Sequence, residues 1–469
     1  MTKGADASLV IHNADYVVTV DRDRRIVRNG SVVIRGSRIE RVVKADQVTE
    51  EELRGQVIDA RGRIVMPGLI DTHIHTTKQL NRGLADEVEL RDHLLERQFP
   101  FEAQMDEEDA YWSSLACTLE LIRSGTTCFI EAGNHYPDAT GRAIEESGIR
   151  GIVARTASDL EKSLQGSLPE RLFREHTEDI LAKSTATVER WNGAADGRIR
   201  AWFQVRITYL GSDHLCREMK QLADRYGVGF EAHCTTSWEN RQTVYRQFGS
   251  SELRRLERLD ALGPNVMLIH MGWVEEADLH LLRDHDLKIS HCPGSSMHAS
   301  MGSIINGKIP TYLAMGVSVG LGSDSAGSSN HLDMFRHMYQ MSAHKEVHHD
   351  ARLMPAEAAL EMATRMGARV AMWDDEIGSL EAGKLADLIL VDVDRPEMQP
   401  LHNPVSNLVY SASAACVDTT IVNGRILMEG RRVLTLDEPR ILEESRRRAP
   451  EIVRRAGMMQ YAKPRWPIV

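Results

Sequence analysis

Two histidines spaced by one residue, His73 and His75, end an apolar run that begins at Ile64 and passes through Pro67 and Gly68. Side chains alternate across a strand, so on extended backbone both imidazoles leave the same face. Neutral imidazole binds divalent ions, and two on one face form half of a metal site. A lone His-x-His is equally a pair of hydrogen-bonded histidines, so the weight falls on the residues downstream. There, short apolar runs end in Glu131, Arg155, Arg206, His233, His270, His291 and Asp324. One polar run-end is an ordinary hydrogen-bonded side chain. Histidine-bearing ends repeated along the chain and joined by an aspartate are a donor set.

These ends need elements to position them. The runs at 126–130, 151–154, 200–205, 227–232, 266–269, 287–290 and 317–321, together with 64–70, read as eight strands. Amphipathic stretches such as 106–124 and 251–262 separate them. Strands alternating with helices over this length predict an α/β fold, a (β/α)8 TIM barrel, whose chemistry sits at the C-terminal ends of its strands. A doubly wound open sheet is the alternative, but no Gly-x-Gly-x-x-Gly turn follows any strand. Both chain ends are different in kind. Short runs near residues 9–11, 16–20, 31–35 and 57–62, and again at 386–392 and 419–424, alternate with turn signals such as Asn29-Gly30 and Asn423-Gly424. One small β-sandwich built from both ends is the simplest arrangement; two separate β-extensions are the other. The expected division is 1–63 and 376–430 for the sandwich, 64–375 for the barrel, and 431–469 for a helical tail.

The 469-residue chain carries a net charge of −11 and no basic block, which argues against nucleic acid as a partner. The six cysteines form no Cys-x-x-Cys pair, as free thiols in a reducing cytoplasm would. Residues 1–6 lack the apolar core of an export signal, and no run is long enough to span a membrane. A cytoplasmic homo-oligomer, dimer or higher, acting on a small molecule is expected.

With those runs in place, the chain resembles the amidohydrolase superfamily. It is most similar to the mononuclear deaminase and triazine-hydrolase-like (ATZ/TRZ-like) group, and the resemblance extends to the phenylurea and thiocarbamate hydrolases. Residues 67–75 (PGLIDTHIH) match the motif of the family's first barrel strand. Residues 290–296 (SHCPGSS) resemble its SHNPxSN segment and residues 322–330 (GSDSAGSSN) its GTDGxxSNN segment. Residues 377–388 match its return to the sandwich. The resemblance implies that His73, His75, His233 and Asp324 hold a metal. It implies that His270 assists the attacking water and that His291 lies near the substrate. Three imidazoles and a carboxylate leave a position open for water, as catalytic zinc requires. Zinc is the expected ion, with cobalt, manganese or iron as alternatives. Relatives with two metals bridge them from strand four. Here that strand ends Gln204-Val205-Arg206, without lysine or carboxylate, so one divalent ion per chain is expected.

Two departures bear on the reaction. The deaminase group carries a glutamate three residues after the strand-five histidine, which shuttles protons to the ring and the leaving ammonia; Thr236 stands there. A threonine hydroxyl is not a carboxylic acid. Arg206 stands where the group has a strand-four histidine, and arginine is a permanent cation rather than a base. Asp324 and His270 are the expected proton carriers, with Glu131 or Glu239 as substitutes. Arg206, Thr236, Glu131, His291 and Trp273, the last as an apolar wall, are the expected substrate contacts. These departures favour metal-dependent cleavage of a C–N or C–S bond in a small urea, carbamate, thiocarbamate or amide-like compound. The alternative is an aminohydrolase or chlorohydrolase of a purine, pterin or triazine. An inactive barrel that only binds is the third reading.

Overall fold

The computed structural model describes residues 8–160, 162–163 and 166–468. Residues 1–7, part of the sequence on which the absence of an export signal rests, lie outside them. Eight parallel strands form the barrel: β1 (Leu69–Ile74), β2 (Thr126–Glu131), β3 (Arg150–Ala154), β4 (Ile199–Ile207), β5 (Phe230–Cys234), β6 (Val266–His270), β7 (Lys288–His291) and β8 (Ser318–Leu321). They pair in chain order. Strands such as β1, β2 and β6 are buried at every residue. That is why they read as near-continuous apolar runs rather than alternating ones. The barrel closes through a parallel bridge between Ile74 and Asp324.

The chain ends build one mixed nine-stranded sheet. Strands Ser8–Val18, Ile26–Arg35, Arg38–Lys44, Gln56–Asp59 and Arg63–Pro67 come from the front, and Leu388–Asp392, Val417–Val422, Arg425–Glu429 and Arg432–Val433 from the back. Arg63–Pro67 is the seam, pairing with Ser8–Val18 on one side and Leu388–Asp392 on the other. The single strand expected over 64–70 is therefore two strands, one in each sheet, divided at Gly68. A Cβ there would lie 2.0 Å from Thr127 Oγ1, so only glycine lets the chain pass so close beneath β2. The run expected at 227–232 is displaced: β5 begins at Phe230, because Gly227 with φ 64° caps the preceding helix Asp213–Tyr226.

Barrel and sheet are joined by a buried ion pair. Arg150, at the start of β3, donates to Asp387 through Nε at 2.7 Å and Nη2 at 3.1 Å. Asp387 also accepts from the backbone N–H of Asn423 at 2.7 Å. The last long helix, Glu438–Arg455, lies against helix Glu107–Arg123, with Arg448 donating to Asp109 at 2.9 Å. Its Ile452 and Val453 pack with Leu80, Leu84 and Phe101, behind the segment that follows β1. All six cysteines are buried and free. Among the described residues no helix is long and apolar enough to cross a membrane.

Removing one partner of a buried pair leaves the other charged and unsatisfied, at a cost of about 3–5 kcal/mol. Arg150→Met should lower the urea midpoint of unfolding accordingly, and Arg150→Met with Asp387→Leu should recover much of the loss. Equal stability of wild type and Arg150→Met would show that the pair does not hold the two sheets together.

Candidate active site

The ends of β1, β5, β6 and β8 bring their side chains to one point. Ring centroids of His73 lie 5.0 Å from His75, 4.8 Å from His233 and 5.6 Å from His270. Asp324 Oδ1 lies 3.8 Å from His75 Nε2 and 4.0 Å from His73 Nε2. Donor atoms of His73, His75 and His233 all fall within 4.8 Å of one another, as do those of His73, His270 and Asp324. The backbone fixes this closeness. Asp324 N–H donates to the carbonyl of His73 at 2.8 Å, and His75 N–H donates to the carbonyl of Asp324 at 2.7 Å. Positive φ at Thr235 (46°), His270 (72°), Met271 (51°) and Asp324 (68°) bends the chain sharply as it leaves β5, β6 and β8. A β-branched residue such as Thr235 rarely adopts that region, at a cost of about 1–3 kcal/mol that the surrounding packing must offset.

The donor chemistry fits a divalent cation. Both ring nitrogens of His73 are buried without a hydrogen-bond partner, an expensive state unless an ion takes a lone pair. Burial holds the His73, His75 and His233 imidazoles well below their usual range, and neighbouring cationic groups push the same way. They stay neutral and able to ligate. His233 Nδ1–H donates to the backbone carbonyl of Arg206, which turns its Nε2 lone pair toward the cluster. Burial also lowers His270, with Asp324 opposing.

A cavity opens above the cluster. Arg206 and Thr236 line it with His75, His233, His270 and Asp324, and so do Lys78, Leu90, His93, Leu94, Asn240 and Met301. Arg206 is not free. Its guanidinium forks onto Glu102 at 2.5 and 3.1 Å, 4.6 Å over the Phe99 ring. Burial alone would raise Glu102, but Arg206 and Lys78 outweigh it and hold the carboxyl near 2. Leu90, His93 and Leu94 come from the segment after β1, where residues His93–Gln98 form a π-helical turn of the sort common at functional sites.

Three expected contacts lie elsewhere. Glu131 is buried but accepts hydrogen bonds from the Thr76 backbone and hydroxyl, and burial raises it to about 7. It braces β1 rather than lining the cavity. His291 does not line the cavity; its ring lies 5.7 Å from that of His344. Trp273 donates to the Met301 carbonyl at 2.7 Å and faces a neighbouring crevice with Thr235 and Glu252. Glu239 is exposed on helix Trp238–Phe248 and supplies no acid to the site. Lys78, His93 and Asn240 are the cavity groups that spacing does not flag, and neither does it flag Glu102, the partner of Arg206. Only Lys78 stands beside a recognised motif, three residues past His75.

Residues 64–427 match the Amidohydrolase family. The chain belongs to it. It is 36% identical over 454 residues to a 5'-deoxyadenosine deaminase of Methanosarcina acetivorans, covering 96% of this chain and 100% of that protein. It is 34% identical to a 5-methylthioadenosine/S-adenosylhomocysteine deaminase of Pelotomaculum thermopropionicum, covering 96% and 100%. The crystal structure of a zinc-bound adenosine deaminase from Xanthomonas campestris superposes with a TM-score of 0.85 at 25% identity, covering 95% of this chain and 98% of that one. Atrazine chlorohydrolase of Arthrobacter aurescens shares the fold, with a TM-score of 0.86 at 22% identity over 94% and 100%. The protein is a metal-dependent amidohydrolase acting on carbon–nitrogen bonds other than peptide bonds. Relatives that deaminate adenosine analogues favour the heterocyclic-amine expectation over the urea and carbamate one, and the order of the two is reversed accordingly.

His73→Ala, His233→Ala and Asp324→Asn should each lose metal or turnover, and elemental analysis of active protein should return about one ion per chain. Retention of both metal and turnover in any variant removes that residue from the site. A second prediction concerns acid stability. Glu102 sits near 2 when folded against an ordinary value of 4.5. Its stabilising contribution is complete above about 4.5 and is lost as pH falls toward 2. Glu102→Gln should therefore lose less stability than wild type between pH 5 and pH 3 in urea titrations; equal losses would contradict the depressed value.

Proposed function

We propose that this chain hydrolyses the exocyclic C–N bond of an aminated N-heterocycle of the adenine-nucleoside kind, using one zinc ion held by His73, His75, His233 and Asp324. The observation that carries the reading is the assembled cluster of four histidines and one aspartate on the floor of a cavity. The similarity to 5'-deoxyadenosine and methylthioadenosine deaminases along nearly the whole chain supports the substrate class. A divalent ion there supplies Lewis acidity and brings the pKa of water to about 7. The residues do the rest. Asp324 accepts the proton of the attacking water at a carboxylate oxygen and delivers it to the departing nitrogen. His270, neutral and beside Asp324, orients the water by hydrogen bonding. Leu90, Leu94 and Met301 cover the cavity with apolar surface and limit bulk water.

One observation favours a second reading. Thr236 lines the cavity where the deaminase group has its glutamate, and Asp324 is the sole carboxylate among the cavity-lining residues described. An acyclic urea, carbamate or thiocarbamate has no ring nitrogen to protonate and does not need that acid. A panel of 5'-deoxyadenosine, 5'-methylthioadenosine, adenosine, a triazine, a phenylurea and a thiocarbamate, scored by kcat/KM, separates the two. Turnover of an adenosine analogue is expected. Thr236→Glu should then raise its kcat/KM by about tenfold or more, since a positioned acid contributes about 10²–10⁴-fold, with no gain on acyclic compounds. A wild type that hydrolyses the phenylurea or thiocarbamate and no heterocyclic amine overturns the first reading in favour of the second.

A further inference from the structure

Lys78 is an anomaly among the buried lysines. Three are 5% exposed: Lys78, Lys220 and Lys288. Lys220 is paired with Asp224 at 2.6 Å and Lys288 with Asp286 at 2.8 Å. Among the described residues Lys78 Nζ has no hydrogen bond or ion pair. It is not displaced by accident. Residues Thr76–Asn81 form a short 3-10 segment broken at Lys78 (φ −98°, ψ 15°), and Lys78 N–H is tied to the His75 carbonyl at 3.0 Å. The side chain lines the cavity with His75, Arg206, His233 and Asp324. The carboxylates that act on it are Glu102, already forked by Arg206, Asp324, within the donor cluster, and Glu131, already held by Thr76. The residue is buried while its ammonium has no fixed protein partner in a cavity that limits its hydration, so an acceptor brought into the cavity is a favourable partner for it.

The geometry points to Lys78 as the residue that binds the substrate's acceptor atom bonded to the attacked carbon and stabilises the negative charge that develops on it. This rests on the C–N hydrolysis reading only for which carbon is attacked. When water oxygen adds to that carbon, an electron pair moves onto the adjacent atom: a ring nitrogen in an aminated heterocycle, a carbonyl oxygen in an acyclic compound. Collapse returns the pair and expels the amine. Lys78 keeps its proton throughout, and no bond to Nζ forms or breaks; it donates a charge-assisted hydrogen bond that strengthens as the charge grows. The wall carrying Thr236 offers no acid, so an electrostatic donor on the opposite element, after β1, takes over that part of the task.

The test uses zinc-loaded wild type, Lys78→Met, Lys78→Arg and Lys78→Ala, with zinc content and thermal melting measured on each. The first probe is inorganic phosphate, titrated calorimetrically. Lys78→Met should bind it about tenfold more weakly or worse, and Lys78→Arg within about threefold of wild type, all three holding equal zinc. Melting of Lys78→Met should be unchanged or higher, because a buried unpaired charge has been removed. The second probe is whichever panel substrate wild type turns over. There kcat of Lys78→Met should fall about a hundredfold while KM moves less, and ethylammonium should restore part of the rate to Lys78→Ala. Equal phosphate affinity in wild type and Lys78→Met, no phosphate binding by wild type, or an unchanged kcat would each overturn the assignment. If Lys78→Met does not fold, the assignment of an unpaired charge is wrong as well. Failure of the whole substrate panel would instead overturn the proposed reaction, and the phosphate titration would still decide Lys78.

Discussion

Two backbone hydrogen bonds hold this molecule's chemistry together. The N–H of Asp324 meets the carbonyl of His73, and the carbonyl of Asp324 meets the N–H of His75. They are the last rungs of the barrel, joining β8 to β1, and they also set three candidate ligands a few ångströms apart. Closure of the fold and assembly of the donor set are one event. The strained φ angles at Thr235, His270 and Asp324 belong to the same constraint, since each strand must turn sharply at its end to aim a side chain at the axis. A closed sheet has no free edge to absorb that strain, so it stays at the rim where it is useful.

Electrostatics builds outward from the cluster. Neutral imidazoles crowd the floor, kept neutral by burial, while a ring of charge surrounds them. Glu102 and Arg206 cancel within that ring, and Lys78 does not. The cavity therefore presents a cation beside a donor set that attracts a second one, and only ligands bringing electron density between the two relieve the repulsion. A relative's name gives a class of substrate; the unbalanced charge in the wall is what a particular substrate must answer.

The barrel, the joining of both chain ends in one β-structure and the five clustered residues were legible in the sequence, because buried parallel strands leave apolar runs and the rim residues close them; that the ends form a single mixed sheet was not. Less local features were not. The strand over 64–70 reads as one piece because both halves are apolar, and only the close contact of Gly68 with Thr127 reveals the break. His291 reads like its neighbours, yet its ring packs beside His344 rather than lining the cavity, a difference that the end of an apolar run does not carry. The partnership of Arg206 and Glu102 spans more than a hundred residues and has no spacing signature. Glu131 and Trp273 read as substrate contacts, yet Glu131 accepts from Thr76 and Trp273 donates to the Met301 carbonyl, pairings that no spacing announces. The order of substrate classes read from the sequence rests on Thr236 and Arg206, two substitutions set against similarity along nearly the whole chain.

The seam at Arg63–Pro67 has a consequence for how the protein is made. That strand feeds straight into β1, yet one of its two sheet partners is Leu388–Asp392, more than three hundred residues later. During synthesis, the segment that carries His73 and His75 emerges more than three hundred residues before one of its anchors. The long wait places this chain among slow-folding topologies dominated by distant contacts. It leaves an apolar edge open on the nascent mixed sheet until that distant strand has been made, a hazard of the kind chaperones exist to cover.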